Sequence, residues 1–284
     1  MASEPNRIRV LGLHGMGTSG TIFRTQTCEC SPAFRQKLPA NFIFEFLDAP
    51  YHVTAAPATD IFFKSDHHLG WWEAPTIESI RNAHRLLDEH LEKHGPYDIL
   101  MGFSQGCSLI ASYLLYHTRK TPNTPLRFKA VLFICGGIPL PVLEYLGIEV
   151  PEEAKKINQK TSELLRNRTQ SLQRMAEQHK DIKPGHATPW DDVTGLQHDP
   201  NKIPKEGNVF GLDLSNLPDD LLIRIPTVHV YGAKDPRFPA ACQLARFCTN
   251  RKEYDHGGGH DIPRSTVVSE TIAGLMTQLV KEIQ

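Results

Sequence analysis

Tyr97-Asp-Ile-Leu-Met-Gly-Phe-Ser-Gln-Gly106 is the most informative segment of this 284-residue chain. It begins as an apolar run typical of a buried strand, and the apolar residues of 108–117 that follow it have the spacing of a helix. Between the two, Gly102-Phe-Ser-Gln-Gly106 matches G-x-S-x-G, a tight strand-to-helix turn that exposes a serine. Glycine stands two residues before and two residues after Ser104, where a side chain would not fit. The sequence therefore predicts an activated serine at the N-terminus of a helix.

Strand-like and helix-like segments alternate on both sides of this turn. The predicted strands are 8–14, 42–47, 128–134 and 225–231, and the predicted helices are 76–94, 238–248 and 266–283, with 19–38 partly helical and 51–75 a long loop. Such alternation is typical of parallel βαβ units, so we expect an α/β fold with a mostly parallel, doubly wound sheet. We expect a single domain, 1–284. Segment 139–222 breaks the alternation, and its polar helical stretch (151–180) and Pro-rich remainder (184–218) predict an inserted helical and loop lid.

Composition excludes several classes of protein. Lys and Arg total 31 against 32 Asp and Glu, a net charge of −1, which argues against a nucleic-acid partner. The longest apolar run is far shorter than the ~20 residues that cross a bilayer, so we expect no membrane span. The polar first residues and the six scattered cysteines favour a cytoplasmic protein with reduced thiols.

An acidic residue follows the predicted strand 225–231 within Val230-Tyr-Gly-Ala-Lys-Asp-Pro236. Open α/β sheets place their sites at the carboxyl ends of the strands, the edge at which Ser104 is also expected. A carboxylate there can accept the Nδ1–H of a histidine and fix its tautomer. The alternative is that Asp235 caps a turn, which Asp-Pro often does.

The histidine is expected from His256-Gly-Gly-Gly-His260. A His-x-x-x-His pair can bind a metal on a helix, but three consecutive glycines disfavour a helix, so no metal site is predicted. We interpret the stretch as a loop that brings His260 to the serine, with His256 as the competing base. The order Ser104, Asp235, His260 is that of the α/β-hydrolases.

A second glycine-containing loop, His14-Gly-Met-Gly17, follows the first strand. The main-chain N–H of such a loop usually pairs with the N–H that follows the nucleophile to form an oxyanion hole. We therefore predict that the main-chain N–H groups of Met16 and Gln105 are the donors. The side chains of these two residues give no information about the site. His14 is interpreted as a structural residue.

Together these motifs resemble the eukaryotic family of serine hydrolases (FSH), which includes hydrolases of fungal polyketide clusters and an ovarian-tumour-associated hydrolase of animals. The resemblance rests on Leu13-His-Gly, Phe46-x-Asp-Ala-Pro50, Gly70-Trp-Trp72, Gly102-Phe-Ser-Gln-Gly106, Gly232-x-x-Asp235-Pro and Gly258-Gly-His260. It covers nearly the whole chain except about 145–220. It implies an α/β-hydrolase fold, no cofactor, a triad of Ser104, Asp235 and His260, and esterase or thioesterase activity on a carboxylic ester or an acyl-carrier thioester. A carrier domain of a polyketide synthase is the implied partner.

The substrate pocket is predicted from aromatic and apolar residues beside these motifs: Phe23, Trp71, Trp72, Ile138, Trp190 and Phe210. The alternative is that these side chains pack into the core or the lid. Other functions remain open. An acyltransferase or cyclase would use the same acyl-enzyme, a general cytosolic carboxylesterase would share the chemistry, and a non-catalytic scaffold would keep only the fold.

Overall fold

Six parallel strands form the central sheet in a computed structural model that describes residues 7–28, 33–57, 59, 63, 67–178, 188–202, 207–262 and 265–284. The strands are β1 Ile8–Leu13, β2 Phe42–Leu47, β3 Ile99–Phe103, β4 Ala130–Ile134, β5 Thr227–Tyr231 and β6 Arg251–Asp255. Their order is β6-β5-β4-β3-β1-β2, and every neighbouring pair is parallel. The predicted α/β class with a doubly wound parallel sheet is confirmed.

The sheet is apolar at its centre because helices cover both of its faces. The helices are α1 Gly20–Cys28, α2 Ile77–His94, α3 Gln105–Lys120, α4 Leu140–Tyr145, α5 Glu152–Gln178, α6 Phe238–Arg246 and α7 Thr266–Ile283, with 3₁₀ turns at Phe34–Lys37 and Asp219–Leu221. Buried residues of α2, α3, α4 and α6 form one core, and those of α1 and α7 form the other. Across the described ranges, the helices are too short or too polar to cross a membrane.

The chain changes direction across the sheet between β1 and β3. From β1 it moves to β2 on one side, whereas β3 and the later strands lie on the other side. The register pairs Leu13 with Gly102, so the loops after β1 and β3 begin side by side. Such a switch point opens a crevice at the carboxyl ends of the strands.

Two stretches lie over this edge of the sheet. The predicted loop 51–75 contains short strands Tyr51–His52 and Leu69–Gly70, which pair antiparallel, and residues 58, 60–62 and 64–66 lie outside the described part. The predicted lid segment (residues 139–222) contains α4, the 27-residue α5, and the antiparallel pair Asn208–Val209 and Leu212–Asp213. Of that segment, 179–187 and 203–206 are outside the described residues.

Candidate active site

Ser104 occupies a sharp turn between β3 and α3. Its φ of 50° and ψ of −110° lie in a region that L-residues avoid, at a cost of order 1–3 kcal/mol. The turn is tight because a Cβ on Gly102 would lie 2.7 Å from the main-chain nitrogen of Cys107, and a Cβ on Gly106 would overlap the main-chain oxygen of Leu13. Gly102 therefore allows the turn to close onto the start of α3, and Gly106 allows it to lie against the end of strand β1.

Ser104, His260 and Asp235 form one continuous chain of hydrogen bonds. The Ser104 hydroxyl donates to His260 Nε2 across 2.9 Å, and His260 Nδ1–H donates to Asp235 Oδ2 across 2.7 Å. Asp235 is fully buried, whereas the His260 side chain keeps 9% of its surface exposed. A buried carboxylate that accepts Nδ1–H leaves Nε2 free to take the serine proton, which is the arrangement needed for nucleophilic catalysis.

The loop after β5 holds Asp235 in place. The carboxylate oxygen that does not bind His260 accepts the main-chain N–H of Arg237 at 2.7 Å. The Arg237 side chain turns to α5, where it donates to Asn158, Thr161 and Ser162. Burial lowers the pKa of Arg237, and the nearby Asp235 carboxylate acts in the opposite direction.

The loop 256–260 contacts the loop of Asp235 and packs closely on Trp190. The Lys234 main-chain N–H donates to the main-chain oxygen of Gly258 at 2.9 Å. This bond joins the loop 256–260 to the loop that carries Asp235. A Cβ on Gly259 would overlap the Trp190 ring. His256 Nδ1 accepts the Gly258 N–H at 3.2 Å, so His256 orders its own loop, and it is His260 that reaches Ser104.

The two predicted oxyanion donors both border one cavity. Met16 and Gln105 lie beside Ser104 in its wall. Within the described part of the chain the Met16 N–H has no acceptor, and the Gln105 N–H starts α3, where no intrahelical acceptor exists. His14 is buried; its Nε2 accepts the Ala49 N–H at 3.0 Å, so its Nδ1–H donates to Gly15. Burial lowers the pKa of His14, and its two hydrogen bonds give it the structural role expected from the sequence.

The cavity measures about 1140 Å³ and opens onto Ser104 and His260. The lid segment forms much of its wall. The lining includes Trp72, Ile138, Leu140, Pro141, Leu165, Leu172 and Trp190 together with hydroxyl and amide groups of Thr18, Thr54, Asn158, Ser162 and Thr169. Trp72, Ile138 and Trp190 thus lie where the sequence placed them.

Three predicted pocket residues were assigned wrongly. Phe23 is fully buried on α1 and packs edge-to-face on Phe46, with ring centroids 5.6 Å apart. Trp71 is fully buried too, and its indole N–H donates to the main-chain oxygen of His14 at 2.9 Å. Phe210 lies 6.3 Å from the Phe238 ring, away from the cavity. The rings of Phe23 and Trp71 lie in the core because burial there removes their apolar surface from water, and Phe210 packs partly buried against the core that contains Trp71.

Two side chains at the site are not predicted by any sequence motif. The Gln105 amide accepts the Trp71 N–H at 2.9 Å and donates to the Trp72 oxygen at 2.8 Å. Arg237 joins the Asp235 loop to α5, and it lines the cavity together with Arg166. Neither role follows from a local motif, although an Arg two residues after the predicted acid was visible.

Among the described residues, three side chains of types that can bind a metal lie close together. Cys135 Sγ and the nearest ligand atoms of Asp235 and His260 lie within 4.8 Å of one another. Both ring nitrogens of His260 are already engaged, one with Asp235 and one with Ser104. Burial raises the pKa of the Cys135 thiol well above its usual value, whereas metal binding needs a thiolate. The donor set therefore fits the hydrogen-bond chain better than an ion.

Comparison with known proteins gives a family and several relatives. The family model described as serine hydrolase (FSH1) matches residues 2–272. Esterase FPY3 of Fusarium mangiferae is 25% identical over 280 residues, which cover 97% of each chain. Hydrolase FUB4 of Fusarium oxysporum f. sp. lycopersici is 27% identical over 267 residues, which cover 90% of this chain and 92% of that protein. The crystal structure of Arabidopsis thaliana SOBER1 has a TM-score of 0.44 at 15% identity, covering 96% of this chain and 99% of that one. The present chain, with its six-stranded parallel sheet between two layers of helices, belongs to the FSH1 family of serine hydrolases.

Proposed function

We propose that this serine hydrolase cleaves a carboxylic ester or an acyl thioester through an acyl-enzyme on Ser104. The hydrogen-bond chain from Asp235 through His260 to Ser104, at the floor of the cavity, carries the proposal. Each member is placed for one role: nucleophile, base and orienting acid.

The steps follow from this geometry. Ser104 Oγ attacks the acyl carbonyl carbon while His260 Nε2 takes the hydroxyl proton. The carbonyl oxygen becomes an oxyanion, which the Met16 and Gln105 N–H groups bind. His260 returns the proton to the leaving alcohol or thiol as the bond to it breaks. Water then attacks the acyl-enzyme and loses a proton to His260. The bond between the acyl carbon and Ser104 Oγ breaks, His260 returns that proton to Ser104 Oγ, and the acid is released.

Cavity size and lining support a bulky acyl group. A volume of about 1140 Å³ lies above the usual range of about 300–1,000 Å³ for small-molecule sites, so a short acyl group would leave most of it empty. Apolar side chains alternate with hydroxyl and amide groups on the lid side, which suits an acyl chain carrying several oxygens. The family resemblance points the same way, toward esters or carrier-bound thioesters of fungal polyketide-type metabolism, with a polyketide synthase carrier domain as a partner.

The first experiment is fluorophosphonate labelling, because this probe reacts only with an activated serine. Wild type and Ser104→Ala are labelled in parallel and read by intact mass. We expect one adduct on wild type and none on the variant. Labelling of Ser104→Ala to the wild-type extent, or no labelling of folded wild type, would contradict the proposal.

A second experiment separates hydrolysis from acyl transfer. Matched oxygen esters and N-acetylcysteamine thioesters of increasing chain length are assayed with and without an added alcohol. We expect free acid in both conditions and a preference for the longer chains. New ester formed in proportion to the alcohol would assign an acyltransferase or cyclase instead.

A further inference from the structure

The segment Leu69–Trp72 is hydrogen-bonded to the loop that carries the Met16 oxyanion donor. The Gly17 N–H donates to the Leu69 oxygen at 2.9 Å, and the Leu69 N–H donates to the Thr18 oxygen at 2.7 Å. On the other side of Met16, the Trp71 indole N–H donates to the His14 oxygen at 2.9 Å. The donor at Met16 is therefore fixed from both directions by one short segment.

The same segment is fixed to the turn that carries the other donor. The Gln105 side-chain oxygen accepts the main-chain N–H of Trp71 at 2.9 Å, and its amide nitrogen donates to the Trp72 oxygen at 2.8 Å. Two bonds from one planar amide fix both its orientation and the peptide it faces. Gln105 thus combines a main-chain donor at the cavity with a side chain that holds the segment.

Trp71 is the residue at which these two sets of bonds meet. Its main-chain N–H binds the Gln105 side chain, and its indole N–H binds the loop of His14. The residue is fully buried, with its ring centroid 5.4 Å from that of His14, so the ring does not reach a substrate in the cavity. Trp71 instead links the loop of Met16 to the turn of Gln105 through these hydrogen bonds.

Accordingly, we propose that Trp71 and the Gln105 side chain are positioning residues that set the spacing between the Met16 and Gln105 N–H groups. This inference rests on the proposed function, which assigns those groups to the oxyanion. Such donors act only when they are aimed at the charge that develops in the transition state. A small displacement of either loop therefore costs rate without changing how the ground-state substrate binds.

The test replaces Trp71 with phenylalanine, which removes the indole N–H and keeps an aromatic ring. Tyr97→Phe is the matched control, because Tyr97 is equally buried and its hydroxyl donates to Glu45 at 2.9 Å at the opposite end of β3. Each variant is measured for urea stability, for kcat and KM on p-nitrophenyl butyrate, and for inhibition by an alkyl trifluoromethyl ketone. That ketone forms a tetrahedral oxyanion on the serine.

We expect Trp71→Phe to lower kcat by about 10- to 100-fold, with KM close to wild type. The inhibition constant of the ketone should rise by the same factor. Tyr97→Phe should lose similar stability and keep the wild-type kcat and inhibition constant. Wild-type kcat in folded Trp71→Phe, or the same loss of kcat in Tyr97→Phe, would overturn the positioning role.

If Trp71→Phe does not fold, Gln105→Glu tests the positioning role instead. It keeps the acceptor for the Trp71 N–H but sets a carboxylate oxygen against the Trp72 oxygen, and the same paired change in kcat and ketone inhibition is expected. Wild-type values for both would overturn the proposal. Ser104→Ala in the same assay separates the two claims. If it retains turnover, the proposed function fails and the positioning role with it, whereas loss of turnover beside an unaffected Gln105→Glu overturns the positioning role alone.

Discussion

Arg237 donates from its guanidinium to the main-chain oxygen of Asn158 at 3.0 Å, and so connects the loop of Asp235 to the inserted helix α5. A second bond runs from α5 to the same loop: the Arg168 guanidinium donates to the main-chain oxygen of Lys234 at 3.3 Å. Both cations bind neutral acceptors in the described residues and lie next to the loop of Asp235. The lid segment and the orienting acid are therefore held as one unit.

Replacing Arg237 with methionine should loosen that unit. The change removes a charged donor and takes away the donor of the Asn158 side-chain oxygen, so we expect a loss of about 2–3 kcal/mol in the free energy of unfolding. The kcat should also fall, because Asp235 loses a fixed neighbour. Urea unfolding and ester turnover measure the two effects. Lys234→Met is the control: its surface pair with Asp191 should contribute less than about 1 kcal/mol. Equal losses in both variants would contradict the prediction.

Asp235→Asn should disable the site without unfolding the protein. The amide can no longer stabilise a positively charged His260 and can turn its NH₂ to Nδ1, which favours the wrong tautomer. We expect kcat to fall by about 10⁴-fold with KM little changed. Asp255→Asn is a matched control, because Asp255 accepts two loop N–H groups that an Asn oxygen can still accept. Steady-state ester hydrolysis measures both; a loss of tenfold or less in Asp235→Asn would argue against the acid role.

The fold was predictable wherever the apolar pattern of a segment shows by itself that the segment is buried. β3 and β4 are apolar runs, and α7 spans the predicted 266–283. β6 was not predicted, because Arg-Lys-Glu-Tyr-Asp lacks an apolar pattern and pairs on one edge only. An edge strand takes its conformation from its neighbour β5, and that contact is not encoded locally.

Some residues of the candidate site were likewise predictable from the sequence, and others were not. Ser104, Asp235 and His260 were predictable because each follows a strand end within a short motif, and parallel strands bring such ends together. The direction of an aromatic ring in a loop is set by packing instead, so Trp71 was assigned to the cavity when it faces the core. The Gln105 side chain was dismissed because its partners lie 33 and 34 residues away.

Gly106→Ala should be strongly damaging. The new Cβ would overlap the main-chain oxygen of Leu13, and neither strand β1 nor the turn can move without disturbing the sheet. We expect a loss of more than about 3 kcal/mol in unfolding free energy, together with loss of activity. Gly274→Ala is the control: on α7, where the added Cβ would meet no atom within 4 Å in the described residues outside the local helix backbone, alanine should stabilise by about 1 kcal/mol. Thermal unfolding of both compares them directly, and a benign Gly106→Ala would contradict the close approach.

Stability should fall on acidification because two histidines are buried in their neutral form. Burial lowers the pKa of His84 to about 3 and that of His229 to about 3. Between pH 6.5 and these values the unfolded chain binds a proton at each histidine that the folded protein does not, so the free energy of unfolding decreases as pH falls. Each contributes a slope of up to about 1.4 kcal/mol per pH unit, and burial of His14 and His198 acts in the same direction.

The measurement is urea unfolding of wild type and His229→Gln from pH 7.5 to pH 4.5. His229 stacks on Phe133 with ring centroids 5.0 Å apart, so the variant should be less stable at pH 7.5, where both histidines are neutral in either state. The informative quantity is therefore the slope rather than the absolute value. Removing one buried neutral histidine should flatten the decrease between pH 6 and pH 4.5 by up to about 1.4 kcal/mol per pH unit. A variant that loses stability on acidification as steeply as wild type would show that His229 is already protonated, or solvated, in the folded protein.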